Sequence, residues 1–242
     1  MVPDDAAAPA RPMGVRTTKR RGRTSATQQT ALAALGPAWQ ISPGDVERHV
    51  GGPGRFGSDR PLLIDIGVGD GRATRDWAGV RPDADVLAVE LHRPGIVKLL
   101  RALDADGPEN IRLIEGDALE VLDALGPASV QAVRVLFPDP WPKRRHHHRR
   151  LIDRSFVTTA ARILEPGGEL HLATDWQDYA AHITSMVATE PRFEESLPRH
   201  RPHRPITAYE RRGMEADRAI VDLVYRWQPT DQFPPPAEIS GR

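Results

Sequence analysis

At 242 residues, with 39% apolar side chains, the chain is long enough for one large domain with a buried core. It has no cysteine, which excludes disulfides, thiolate metal sites and a cysteine nucleophile, and which fits a cytoplasmic protein. A formal net charge of zero hides basic clusters within residues 1–24 and 143–154, and local patches of that kind attract RNA or DNA.

Taken in order, residues 1–25 are rich in Ala, Pro, Arg and Thr without apolar periodicity, and a disordered basic tail is expected there. The segment has no apolar h-region, so no secretory signal is expected. No apolar run approaches the length of a membrane span. Residues 26–60 read as a short helix and a glycine-rich loop. The helix has Ala31, Leu32 and Leu35 on one face and a stop at Gly36-Pro37.

Residues 61–228 then alternate strand and helix. Strands are expected at Leu62 to Ile66, Val86 to Val89, Ile111 to Ile114, Val130 to Leu136 and Glu169 to Ala173. Helices are expected after each, to about Val80, Leu103, Leu125, Leu164 and Val187, with Pro166-Gly167-Gly168 ending the fourth. This order predicts a parallel α/β sheet covered by helices on both faces. Ala219 to Trp227 alternates and reads as a last strand, expected antiparallel at the edge. Pro229 to Arg242 reads as a Pro-rich tail.

Chemistry concentrates at the carboxyl ends of these strands, where open parallel sheets bind ligands. Asp65-Ile66-Gly67-Val68-Gly69-Asp70-Gly71 joins the first strand to a helix, and its glycines permit tight turning and close approach. The loop alone fits a plain strand–helix turn as well as a nucleotide cradle. A dinucleotide fingerprint needs a third glycine where Arg72 stands, which disfavours an NAD-dependent dehydrogenase. Glu90 ends the second strand and Asp117 follows the third. An acid at the first position can accept ribose hydroxyls, and one at the second an adenine amino group. With no pyrophosphate cradle, S-adenosylmethionine fits these acids, with its amino-acid part near Gly67, Gly69 and Asp65.

After the fourth strand comes Phe137-Pro138-Asp139-Pro140-Trp141-Pro142-Lys143, then Arg144-Arg145-His146-His147-His148-Arg149-Arg150. Three prolines stop helix and strand alike. The stiff loop offers an acceptor (Asp139), a flat apolar ring (Trp141) and cations for phosphate, a set that suits a nucleic-acid base. Three successive histidines do not converge on one ion, so no metal site is expected.

These residues resemble the bacterial tRNA (guanine-N7)-methyltransferases. The resemblance rests on the 137–151 stretch, on 65–71, 90–95 and 116–118, on Leu164 to Gly168, on Ala173 to Ala180, and on Arg204 to Gly213. It implies a class I methyltransferase fold with a Rossmann-like, seven-stranded, mostly parallel sheet. It also implies S-adenosylmethionine as methyl donor and the variable-loop guanosine of tRNA, position 46, as acceptor. By the resemblance Asp65, Glu90, Asp117 and Asp139 bind the cofactor, and Asp139 is catalytic. Lys143, Asp175, Thr207, Ala208, Tyr209 and Glu210 match substrate-binding positions. A monomer or a homodimer is expected.

The chain departs from the family pattern in places. Asp65 stands where Glu is usual, Ala208 replaces a lysine, and Asp217-Arg218 replaces a Gly-His pair. Arg211, Arg212 and Arg218 are candidates to restore the lost cation. Two rival readings are a methyltransferase for another RNA or a small molecule, and an RNA-binding protein of the same fold without catalysis. The basic cluster argues against the small molecule, and the intact acids argue against loss of catalysis.

Overall fold

The computed structural model describes residues 24–42, 59–196 and 204–229. The expected tails, most of the glycine-rich loop and residues 199–203 of the basic loop lie outside the described residues. The elements run α1 (Ala26–Trp39), β1 (Leu62–Ile66), α2 (Arg72–Val80), β2 (Asp85–Glu90), α3 (Arg93–Asp106), β3 (Ile111–Glu115), α4 (Ala118–Asp123) and β4 (Val130–Leu136). A 3-10 turn (Arg144–Arg149), α5 (Arg154–Ile163), β5 (Leu164–Thr174), α6 (Gln177–Val187), β6 (Phe193–Glu195), α7 (Ala208–Glu215) and β7 (Val221–Trp227) complete them.

The seven strands form one sheet in the order β3-β2-β1-β4-β5-β7-β6. The first five are parallel, and β7 pairs antiparallel with both β5 and β6. The antiparallel strand expected at the edge therefore stands one place in, covered by the short strand β6. Three residues carry too little periodicity to be read as a strand, but Phe193 packs its ring 5.0 Å from that of Trp227.

Strand alternation sorts the core into two layers. Leu62, Ile64 and Ile66 face one cluster with Phe156 of α5 and Tyr179 of α6. Leu63 faces the other, with Ile96, Leu99 and Leu100 of α3. Leu32, Leu35 and Trp39 of α1 pack onto this second layer. That packing carries α1 through Gly36-Pro37 to Trp39, past the expected stop, because Pro37 sits in the last turn and forfeits one ladder bond. Pro166-Gly167-Gly168 ends no helix. It lies inside β5 as a bulge, where the register against β4 shifts between Val130 and Ala132.

The topology fixes the site. β2 and β3 are added on one side of β1, and β4 and β5 on the other. The loops after β1 and β4 thus emerge side by side at the point where strand order reverses, the usual ligand crevice of such sheets. Gly67 N–H donates to the Val89 carbonyl (2.8 Å) and Phe137 N–H to that of Ala173 (2.8 Å), tying both loops to neighbouring strands.

Candidate active site

A cleft of about 300 Å³ opens at this reversal point. Its floor is apolar, from Ile66, Val89 and Val135, and three carboxylates stand around it: Glu90, Asp117 and Asp139. Gly67 and Gly69 form one wall with φ of +74° and +59°, values that side-chain-bearing residues rarely adopt. A Cβ on Gly95, at the start of α3, would lie 2.3 Å from the Gly69 carbonyl oxygen, so that helix can approach the loop only as glycine.

The acids differ in what they hold. Glu90 accepts from Gly69 N–H (2.9 Å) through one oxygen, and from Leu91 (2.7 Å) and His92 (2.8 Å) N–H through the other. A carboxylate has about four acceptor sites, so one remains for a ligand hydroxyl without loss of a backbone partner. Asp117 caps α4 by accepting from Leu119 N–H at 2.9 Å. Asp139 makes no hydrogen bond or ion pair among the described residues; it is exposed at the cleft. Its loop is strained on both sides, with φ of +54° at Phe137 and +46° at Trp141. Such conformations cost on the order of 1–3 kcal/mol each and persist where the surroundings impose them.

Arg150 supplies part of that imposition. Expected among the phosphate-binding cations, it is instead 2% exposed. It donates to the Pro140 carbonyl (3.0 Å) and to Asp178, and lies over the Tyr179 ring. Burial pushes the Tyr179 hydroxyl up to about 12, so it stays protonated and donor-capable while its oxygen accepts from Ile152 N–H. Lys143, Arg144, Arg145 and Arg149 remain exposed, Arg149 over the Trp141 ring at 5.0 Å. His146 is held below its usual value by loss of solvent and by Arg149, Arg145 and Lys143, so it adds no charge to this cluster at neutral pH.

Two of the residues expected to meet ligands, Asp65 and Glu210, are buried and paired within the chain. Asp65 is 2% exposed, and both its oxygens are taken: Arg134 donates to them at 3.1 and 2.8 Å, and the Thr74 hydroxyl at 2.7 Å. Asp65 and Arg134 are register partners on β1 and β4, facing the layer that holds Trp77, whose ring lies 4.1 Å from the Arg134 guanidinium carbon. Glu210 is 0% exposed and pairs with Arg204. Asp175 lines neither cavity; it accepts from Arg218 (2.7 Å) beneath α7, where a Gly213 Cβ would touch it at 2.9 Å.

Arg204 is the hub of a buried network that the sequence did not reveal. Besides Glu210 it donates twice to Asp222 at 2.9 Å, and it lies 5.3 Å from the Phe137 ring centre. His171 also meets Asp222 at 2.9 Å. Burial pushes the Asp222 carboxyl up, but hydrogen bonds from His171 and Arg204 outweigh this and bring it down to about 2. A carboxyl depressed in the folded state stabilises above its unfolded value and loses that contribution as pH falls through its folded one. Stability should therefore be full above about pH 4 and decline toward pH 2. Acid unfolding of the Asp222→Asn variant, already lacking this charge, should be displaced to lower pH relative to its own neutral stability.

Residues 59–223 match the family model of a putative methyltransferase. The tRNA (guanine-N(7)-)-methyltransferase of Streptomyces avermitilis is 42% identical over 229 residues, 90% of this chain and 78% of that protein. That of Alkalilimnicola ehrlichii is 41% identical over 219 residues, 86% of this chain and 90% of the other. The chain belongs to the tRNA (guanine-N7)-methyltransferase family. Its fold is also that of the aminoglycoside resistance methyltransferase NpmB1, with a TM-score of 0.52 at 17% identity over 78% of this chain and 95% of the other.

S-Adenosylmethionine, the cofactor of this family, fits the cleft. An apolar floor suits adenine, Glu90 and Asp117 offer acceptors, and three carboxylates suit a sulfonium cation. Of the family's substrate segment, Thr207 caps α7 by accepting from Glu210 N–H (3.1 Å). Ala208 and Tyr209 are exposed, and Tyr209 reaches over Gly69 between the cleft and a second cavity. Among the described residues no helix is long and apolar enough to cross a membrane, and no three potential metal ligands converge.

Proposed function

We propose that this chain methylates N7 of the variable-loop guanosine at position 46 of tRNA in the cytoplasm, with Asp139 as the catalytic carboxylate. The observation that carries the reading is the contrast among the acids. Glu90 and Asp117 are committed to backbone N–H groups, while Asp139 is held at the cleft with no partner among the described residues.

S-Adenosylmethionine, when bound, supplies an electrophilic methyl on a sulfonium. Guanine N7 has an in-plane lone pair and no proton to lose, so the chain needs no strong base. It needs to hold the base in line at near-attack distance. Asp139 accepts from the N1 and N2 hydrogens and stabilises the positive charge that develops on the purine. Arg150 and the strained turns at Phe137 and Trp141 restrain the backbone that carries that carboxylate. Glu90 and Asp117 hold the nucleoside end of the donor, and Gly67 and Gly69 let it approach the backbone. Asp65 acts indirectly, by tying β1 and α2 to Arg134 beneath the glycine turn. Lys143 and its neighbouring arginines take phosphates, which positions the RNA and makes binding fall with salt.

Labelled methyl donor and unmodified tRNA test this directly. The expected product is 7-methylguanosine, located in the variable loop by cleavage at the modified base. Label in another nucleoside, or in another loop, would overturn the assignment.

A further inference from the structure

A second cavity, of about 140 Å³, lies beyond Tyr209, between α3 and α7. It shares Gly67, Gly69, His92, Leu136 and Tyr209 with the cleft, so the two are continuous. Their charged groups differ in balance. The cleft carries Glu90, Asp117 and Asp139 against Arg149 and the buried, paired Arg150. The second cavity carries Lys98 from α3 and Arg212 from α7 on facing walls. Of its two acids, Asp65 is neutralised by Arg134, while Asp70 is exposed and keeps its charge as it accepts from Arg72 N–H at 3.2 Å, leaving the two cations in excess by one.

The cations there are uncommitted. Lys98 is exposed and makes no hydrogen bond or ion pair among the described residues; Arg212 has only the Tyr209 ring, 5.0 Å from its guanidinium carbon. His92, on the shared wall, makes no side-chain hydrogen bond among the described residues. The first turn of α7 lines the same cavity, and its N–H end adds positive potential to that of the side chains. Ala208, where the family carries a lysine, is also in this wall. Arg218, one candidate to replace that cation, is spent on Asp175, whereas Arg212 lines the cavity with its guanidinium over the Tyr209 ring.

We infer that this cavity binds a backbone phosphodiester of the RNA strand that delivers the target base, held by Lys98 and Arg212. The inference rests on the proposed tRNA reading and adds a site to it. The cleft receives the sulfonium donor and the base edge; the cavity next to it, with its two uncommitted cations, receives the phosphate. Two cations on opposite walls fix the strand from both sides, with Tyr209 between phosphate and cleft.

The test is the affinity of unmodified tRNA for the full chain between about 50 and 200 mM salt. The wild type is compared with Lys98→Gln, Arg212→Gln and the double variant. Arg226→Gln, on β7 beside Glu169 at the other end of the sheet, is the control. Each cavity variant should weaken binding for all tRNAs alike and lower the log–log salt slope by about 1, the pair by about 2. Cofactor affinity, measured by calorimetry, should be unchanged, as should the control's slope. Unchanged slopes in a wild type that still makes 7-methylguanosine would overturn the site alone. Loss of cofactor affinity with unchanged slopes would also overturn it, assigning the cavity to the donor's carboxylate. A wild type that neither binds nor methylates tRNA would remove both the tRNA reading and this site.

Discussion

Replacing Asp139 by alanine should lower the turnover of tRNA methylation by about 10²–10³ while leaving the melting temperature in place. The two halves of this expectation have separate causes. Asp139 is exposed and makes no hydrogen bond or ion pair among the described residues, so its removal orphans no buried group. Its effect on rate comes from placement: Arg150 pins the Pro140 carbonyl and the flanking turns are held at positive φ, so the loop backbone already places Asp139 at the cleft before charge develops. Steady-state kinetics with thermal melting checks both. A variant with near-normal turnover would remove Asp139 from the mechanism, and one that melts early would make it a structural residue.

The second large effect falls on a residue remote from the chemistry. Arg134→Met leaves Asp65 charged and unpaired at 2% exposure. Breaking a buried pair from one side costs about 3–5 kcal/mol. For a chain of this size that lowers the melting temperature by roughly 6–20 °C. Replacing both partners, as in Asp65→Val with Arg134→Met, should recover most of the loss, because neither charge is then stranded. The double variant also separates the roles of Asp65. If it acts only by holding Arg134 and Thr74, cofactor affinity survives the exchange. A large loss of affinity in a well-folded double variant would mean that Asp65 meets the cofactor itself.

Much of this architecture is legible in the sequence because glycine, proline and apolar runs punctuate it strongly. The β1 run LLIDI, the glycine turn after it and the acids that close β2 and follow β3 need only local chemistry to be read. The Phe137–Lys143 stretch is legible for the same reason, since prolines restrict the backbone whatever surrounds them. What escaped depends on partners far along the chain. Asp65 looks like a ligand-facing acid until Arg134, 69 residues on, is seen to take both its oxygens. The signal was present: an arginine inside VQAVRVL breaks an apolar run and demands a buried counter-charge. Glu210 has no such sign: its partner Arg204 is only six residues away, but Arg204 is buried by its pairing with Asp222 of β7. Strand β6 and the passage of α1 through Pro37 likewise follow from packing on Trp227 and on α3.

Guanine N7 is the attacking atom, and one substitution in the RNA tests that. A tRNA carrying 7-deazaguanosine at the variable-loop position has a carbon where the lone pair should be, and keeps the N1 and N2 hydrogens that Asp139 is expected to meet. Labelled methyl transfer to this tRNA should vanish, while its affinity stays close to that of the unmodified tRNA. Transfer at an unchanged rate would contradict attack by N7, since the methyl would then be going to another atom.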